Sequence, residues 1–381
     1  MKNRGMDMNI LIFTASTGGG HKRAAAAIEA KIHSLSPETE VNVVDGMKAI
    51  GKFYDKTVCK GYHIMATKTP SVYGKLYRLT DESKTIAKAV VKSNEIMADN
   101  LLEVIEKYNP DIIIICHAFI TNMVSRLKGK GKIRAKVISL ITDYDSHRTY
   151  ISPNIDAFVL AEPQMKRKLC EAYDVPESKI FPLGIPTFDR FSVSETKEEI
   201  CHRERLNPNL PIVLMMAGSF GVTGVLDFYE QLAKKSDKIQ IIVITGRNIR
   251  LFDHLDKKIQ ELGTSKNTKL LYFVDNVEDY MHIADLIVTK PGGLTVTESI
   301  ACSLPMAIYS AFPGQEADNV DFLLKQNAAF LVDKKNGAEE ILELLHSPDR
   351  LNTMKESCRR LALPYAAEDI FNLAKKLYSG E

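Results

Sequence analysis

The sequence predicts an α/β chain of two doubly wound parallel-sheet domains, and three observations predict it. Short apolar runs alternate along the chain with stretches of helix-compatible composition, the alternation that lays helices over a parallel sheet. Twice such a run is followed at once by glycines and a helix start, at Gly18-Gly-Gly-His21 and at Lys290-Pro-Gly-Gly293. The 381 residues suit about two domains, and a proline- and glycine-bearing break, Phe181-Pro-Leu-Gly-Ile-Pro-Thr187, falls near the midpoint. The expected organisation is a first domain over 1–187, a linker over 188–208 with a short charged helix, and a second domain over 209–363. An amphipathic helix within 364–381 is expected to close back onto the first domain.

In chain order, apolar Asn9-Ile-Leu-Ile-Phe-Thr14 reads as a buried strand, followed by the loop glycines Gly18, Gly19 and Gly20 and an alanine-rich helix over 22–33. A tight packing turn explains two of those glycines, and the spacing fits neither a dinucleotide fingerprint nor a Walker loop. His21 is what that turn leaves unexplained. It stands at the helix start, on the carboxyl edge of the first strand. With an ordinary pKa near 6.5, a histidine there is neutral at working pH and can accept a proton; the plainer alternative is a cap or a satisfied polar group.

A strand over 41–45 comes next, and then the most basic part of the chain. Residues 47–92 hold ten Lys/Arg against Asp55, Asp81 and Glu82. Lys48, Lys52, Lys56 and Lys60 repeat every fourth residue, and Lys84, Lys88 and Lys92 resume the spacing. Between them Thr69-Pro-Ser-Val-Tyr-Gly-Lys-Leu-Tyr77 reads as an aromatic loop, with Tyr73 and Tyr77 within it. Basic helices around tyrosines suit an anionic membrane surface, where each cation contributes about 1 kcal/mol; a solvated helical face carries the same charge run. A helix over 94–107, a strand over 111–117 ending in a histidine, strands over 136–142 and 157–160 and a helix over 163–173 complete the first domain. Asp143, at the exit of the 136–142 strand, is placed to orient His21 or a substrate hydroxyl.

Strands of the second domain are expected over 211–217, 239–245, 269–273, 286–289 and 306–309. The 286–289 strand runs into Lys290-Pro-Gly-Gly293 and a helix over 294–302. Strand, glycine turn and helix start together present free backbone N–H groups and a helix dipole to an anion. Gly292 and Gly293 let a phosphate approach the backbone, and Thr295 and Thr297 add hydroxyls in the first turn. A helix cap with a Gly-Gly turn is the blander reading. One strand later, Phe312-Pro-Gly-Gln-Glu-Ala-Asp-Asn319 offers Gln315, Glu316 and Asn319, donors and acceptors suited to sugar hydroxyls. A diphosphate loop beside a hydroxyl loop describes a nucleotide-sugar pocket.

Composition narrows the class. Residues 1–190 carry 28 Lys/Arg against 21 Asp/Glu, although the whole chain is only +2, so the first half is the one expected to meet something anionic. The charge is local, the pI is about 8.1 and no nucleic-acid-binding motif occurs, so nucleic acid is not an expected partner. The six cysteines are scattered without metal-ligand spacing, which fits a reducing cytoplasm. Too few apolar residues precede Asn9 for a signal peptide, and no run reaches the ~18 of a membrane span.

Gly18-Gly-Gly-His21, Ile141-Thr-Asp143, Ile244-Thr-Gly-Arg-Asn248, Lys290-Pro-Gly-Gly-Leu-Thr295 and Pro313-Gly-Gln-Glu-Ala-Asp-Asn319 together resemble the monogalactosyldiacylglycerol synthase family, which includes the processive diacylglycerol glucosyltransferases. The resemblance covers nearly the whole chain and implies the GT-B fold, two Rossmann-like domains facing a cleft. It implies an inverting transfer of a hexose from UDP-glucose or UDP-galactose to a lipid acceptor, diacylglycerol above all, without a metal or other cofactor. By the same resemblance Gly292, Gly293 and Thr295 would take the diphosphate, Glu298 the ribose, and Gln315, Glu316 and Asn319 the sugar. Phe220 and Arg247 would border the base. His21 would be the catalytic base, with Gly18, Gly19 and Gly20 forming the acceptor loop.

Lys52, Lys56, Lys60, Tyr73 and Tyr77 would lie in the membrane-contacting region, placing a cytoplasmic protein on the inner face of the cell membrane. Asp143-Tyr-Asp145 resembles the metal-binding acidic pair of a different glycosyltransferase architecture, a reading set aside because the turn near Gly292 already accounts for the diphosphate. Another lipid, a polyprenyl or a soluble acceptor, or a sensor without catalysis, are the alternatives.

Overall fold

The structure, a computed structural model, describes residues 8–15, 19–51, 70–95, 97–193, 195–216, 225–235, 238–333 and 335–380. It divides into two compact units. One comprises Met1–Phe188 with Phe312–Asp318 and Leu363–Glu381, the other Asp189–Ala311 with Asn319–Ala362.

The first unit runs β1 Asn9–Thr14, α1 Gly20–Leu35, β2 Glu40–Asp45, α2 Gly46–Ile50, α3 Pro70–Glu82, α4 Lys84–Glu95, α5 Asp99–Tyr108, β3 Ile112–Ile115, α6 Ala118–Gly129, β4 Lys136–Leu140, β5 Ala157–Val159, α7 Met165–Tyr173 and β6 Ile180–Phe181. Its six strands lie in the order β2-β1-β3-β4-β5-β6, all parallel, with Ile10 beside Ile112 and Ile114 beside Ile138. β3 is four isoleucines, each fully buried, as a central parallel strand covered on both faces requires. The order places β1 next to β3, so the carboxyl ends of these two strands form the switch point where open α/β sheets take their ligands.

The second unit runs α8 Lys197–Glu204, β7 Ile212–Met216, α9 Val225–Lys235, β8 Gln240–Ile244, α10 Ile249–Leu262, β9 Thr268–Leu271, α11 Val277–Ile283, β10 Leu286–Thr289, α12 Gly293–Ala301, β11 Met306–Ile308, α13 Gln315–Lys325 (whose first residues group with the first unit), β12 Ala329–Leu331, α14 Gly337–Leu345 and α15 Pro348–Leu361. Its parallel order is β12-β11-β10-β7-β8-β9, with the switch point between β7 and β10. Val213, Tyr229, Val243, Leu286 and Ile341 centre a single apolar core.

The stretch 188–208, read from sequence as a linker, groups with this second unit from Asp189 onward. Lys197 and Lys355 both reach Asp285, at 3.0 and 3.1 Å, and the Ile212 N–H donates to the same carboxylate at 3.1 Å. Although desolvation opposes it, these partners hold the Asp285 carboxyl below the usual range. Thr196 and Glu199 form a reciprocal capping box on α8. The last helix, α16 Ala366–Ser379, lies in the first unit. Gly184 sits there with φ +96°, and a Cβ on it would come within 2.9 Å of the Leu363 Cβ, so a glycine is needed on both counts.

The stretch 69–77 departs from expectation. α3 begins at Pro70 and continues through Gly74 and Tyr77 to Glu82, where the sequence reading placed a loop. Proline in the first helical position loses no hydrogen bond, and Gly74 is buried on the inner side of the helix.

Candidate active site

In the first unit the switch point is dressed with histidines. Gly19 is the N-cap of α1 and Gly20 its first residue, so His21 lies in the first turn, half-buried, beyond the end of β1. Its Nδ1 lies 3.2 Å from the Thr142 hydroxyl, just past β4, and its ring also hydrogen-bonds the Cys116 backbone, just past β3. The His117 ring stands edge-on to it at 5.0 Å between centroids, with Phe119 5.1 Å beyond.

Desolvation of the His21 imidazole lowers its pKa to about 4, against the smaller upward pull of the Cys116 backbone. His117 is lowered well below its usual value, first by burial and then by the neighbouring His21. Both rings are therefore neutral at pH 7. A neutral imidazole held at a strand exit, with its ring fixed by a hydroxyl and a backbone group, is in the form that can accept a proton from an alcohol.

Asp143 follows Thr142 and is half-buried; the hydroxyl that meets His21 Nδ1 belongs to Thr142. Asp145, the other half of the acidic pair, is held by the Lys168 ammonium at 2.8 Å and accepts from the Ser146 N–H at 2.7 Å. Among the described residues no three His, Cys, Asp or Glu side chains gather into a metal-ligand set.

In the second unit the switch point is dressed with glycine. Gly292 is the N-cap of α12 in extended backbone (φ −68°, ψ 138°), with no side chain capping the helix. The first N–H groups of such a helix have no intrahelical partner. A Cβ built on Gly292 would meet nothing within 4 Å. Neither backbone strain nor packing therefore demands a glycine there, and what its small size preserves is open access to those N–H groups.

Gly293 and Glu298 are buried on α12, and Thr295 is half-buried in its first turn. Thr297, counted with Thr295 as a hydroxyl for the ligand, instead donates to the Gly293 carbonyl one turn back at 2.8 Å. Asn319 is fully buried, and its amide donates to the Pro291 carbonyl at 2.9 Å, so it braces the glycine turn. Glu316 accepts from the Phe312 N–H at 2.7 Å, closing the loop that leads into α13, with Gln315 half-buried beside it.

Arg247, exposed just past β8, lies over the Phe273 ring with its guanidinium carbon 4.8 Å from the centroid. Tyr272 meets Phe252 edge-on at 6.2 Å, and Tyr272 and Phe273 are 39% and 50% exposed. These two aromatics just past β9 were missed by the sequence reading, which took Phe273 as the end of a strand. Two consecutive aromatics at the carboxyl end of a strand were the available signal.

Of the membrane residues, Tyr77 turns inward. Its ring lies 4.3 Å from that of His147, and its carbonyl meets His147 Nε2 at 2.9 Å. Gly18, Phe220, Lys52, Lys56 and Lys60 lie outside the described residues, as does the side chain of Tyr73. No helix among the described residues is long and apolar enough to cross a membrane.

The chain is similar to known proteins over most of its length. The family model described as "Monogalactosyldiacylglycerol (MGDG) synthase" matches residues 21–187, and that described as "Glycosyl transferases group 1" matches residues 197–361. A processive diacylglycerol beta-glucosyltransferase of Bacillus pumilus is 30% identical over 370 residues, covering 95% of this chain and 93% of that protein. Among solved structures, a glycosyltransferase from Rickettsia africae superposes with a TM-score of 0.60 at 17% identity, covering 99% of this chain and all of that one. A UDP co-structure of MnaA from S. aureus gives a TM-score of 0.65 at 12% identity, covering 98% and 97%. The chain belongs to the monogalactosyldiacylglycerol synthase and processive diacylglycerol glucosyltransferase family of glycosyltransferases, and its two Rossmann-like units are those of the GT-B fold.

Proposed function

We propose that the protein transfers a hexose from UDP-glucose or UDP-galactose to the free hydroxyl of diacylglycerol in a membrane, with inversion and without a metal. The observation that carries this reading is the complementary dressing of the two switch points, a neutral histidine at one and an uncapped glycine-led helix start at the other. His21 takes the proton of the acceptor hydroxyl as its oxygen attacks the anomeric carbon. The bond from that carbon to the UDP oxygen breaks, and UDP leaves with the electron pair. The N-terminal N–H groups of α12 stabilise the charge growing on the diphosphate. Arg247 and Phe273 offer a platform for the base. Family membership and the diacylglycerol named for the Bacillus pumilus relative support the lipid acceptor. The UDP named for the S. aureus structure supports the donor.

The outer side of α3 supports docking on an anionic lipid surface. Val72, Leu76 and Leu79 fall on one helical face and are 59%, 44% and 50% exposed, with the exposed cations Lys75 and Arg78 alongside.

UDP release from UDP-glucose and UDP-galactose, measured with vesicles that contain diacylglycerol, tests the proposal. A glycolipid product of inverted anomeric configuration from one donor is expected. Release with neither donor, or release without glycolipid, rejects it.

A further inference from the structure

The inner side of α3 is bonded to residues 147–148 and to α7, and the segment that carries the former leads to the base. His147 places Nε2 2.9 Å from the Tyr77 carbonyl and 3.2 Å from the Thr80 hydroxyl, while its Nδ1 accepts from the Thr149 N–H at 3.2 Å. The Arg148 N–H donates to Asp81 Oδ1 at 2.7 Å, and the Arg148 Nε–H donates to the Asp81 carbonyl at 2.8 Å. The Tyr173 hydroxyl donates to the same Asp81 carboxylate at 2.7 Å and also lies 2.8 Å from the Ser146 carbonyl. Lys168 joins Asp81 to Asp145, at 3.2 and 2.8 Å. Three residues before Asp145 stands Thr142, whose hydroxyl meets His21.

Thr80 and His147 are buried and Asp81 half-buried, so these are not loose surface pairs. Although desolvation opposes it, the Tyr173 hydroxyl, the Arg148 N–H and Lys168 keep the Asp81 carboxyl ionised. Buried charge-assisted bonds of this kind hold one geometry, and losing a partner leaves a costly unpaired group.

Resting on the lipid-transfer reading above, we propose that residues 142–148 form a strut that couples docking of α3 on a lipid surface to the placement of His21, with Asp81 and His147 as its positioning residues. The two sides of α3 then have separate tasks. Val72, Leu76 and Leu79 meet the bilayer, while Thr80, Asp81 and the Tyr77 carbonyl pass its position to the segment that carries Thr142. A lipid surface steadies α3, α3 steadies 142–148, and His21 is held against Thr142 when an acceptor is at hand. Water-soluble acceptor reaches the same base without that steadying.

The test uses the full chain with and without phosphatidylglycerol vesicles containing diacylglycerol. Hydrogen–deuterium exchange is followed over 141–149, together with vesicle flotation and turnover on vesicle-borne and short-chain soluble diacylglycerol. In the wild type, vesicles are expected to slow exchange of 141–149 several-fold. In Asp81→Asn and His147→Gln that protection is lost while flotation is kept, and Tm falls by about 2–4 °C as buried partners lose a bond. Turnover on vesicles falls about tenfold in these variants, and turnover on soluble acceptor stays within about twofold. Tyr173→Phe, which removes one bond to Asp81, gives the same pattern more weakly.

Protection of 141–149 that persists in both variants overturns the proposal. So does its absence in the wild type, or an equal loss on both acceptors. Exchange needs no turnover, so vesicle-dependent protection that Asp81→Asn abolishes supports the strut even if no sugar reaches lipid, an outcome that would reject only the transfer reading.

Discussion

The two parallel sheets reach their switch points by the same route and place different residues there. Beyond β1 the chain places His21, and sheet order brings Cys116 and Thr142 to its ring from the ends of β3 and β4. Beyond β10 the chain runs through Lys290 and Pro291 to an extended glycine and a helix start with no side-chain cap, with Asn319 bracing Pro291 from behind. On the proposed reading, one edge holds a proton acceptor still and the other leaves a negative charge room. Architecture supplies the location in both, and a handful of residues decide what happens there.

If that division of labour is right, removing the base should have the largest effect. His21→Ala is expected to lower kcat by about 10²–10⁴-fold with little change in donor KM, since general-base assistance typically contributes that much. Initial rates with either UDP-hexose check it, and full activity in the variant would remove His21 from the mechanism. The matching change at the other edge is Gly292→Val. Its φ of −68° suits valine, and a Cβ meets nothing within 4 Å, so Tm should hold. Donor binding should weaken roughly 10–150-fold as the side chain bars the diphosphate from those N–H groups, since bonds to a charged group are worth about 1.5–3 kcal/mol. Isothermal titration with UDP distinguishes this from a purely structural glycine, which would lose Tm and keep affinity.

Much of the scaffold was legible because buried parallel strands are continuous apolar runs, and Asn9–Thr14 and Leu286–Thr289 begin and end where the sequence suggests. The two-residue β6 and three-residue β12 were not, since runs so short carry no periodicity. At 69–77, proline and glycine were read as breakers. Proline at a helix start breaks nothing, and Gly74 answers to burial, which the local sequence does not reveal.

The site was legible one residue at a time and not as a set. His21 and Thr142 stand 121 positions apart and meet only because β1, β3 and β4 are neighbours in the sheet. Asn319 reads as a sugar ligand by composition; that its amide also meets the Pro291 carbonyl is seen only in the packed turn.

Asn319→Ala sharpens the account of the glycine edge. The substitution leaves the Pro291 carbonyl without that donor inside a buried site, which costs about 1–2 kcal/mol. Chemical denaturation should show the loss, and UDP affinity should fall only a few-fold as the turn loosens. A variant with unchanged stability would mean that the turn is held by other contacts.

The smallest expected effect concerns the histidine edge and is visible only in acid. Desolvation holds His21 near a pKa of about 4 in the folded chain, below the ordinary 6.5. The neutral form, the one able to accept a proton, therefore persists as pH falls toward 5. An unperturbed histidine base would be about nine-tenths protonated at pH 5.5, so the acid limb of kcat/KM is expected near pH 4 and not at 6.5. The same shift acts on stability with a definite sign. The unfolded chain takes up the proton first, so the His21 contribution is fully present above pH 6.5 and is lost as pH drops through 4. Initial rates taken before any unfolding separate the two effects. An acid limb at 6.5 in kcat/KM would show that the working base is solvated like a surface histidine, and the contrast between the two edges would then rest on the glycine turn alone.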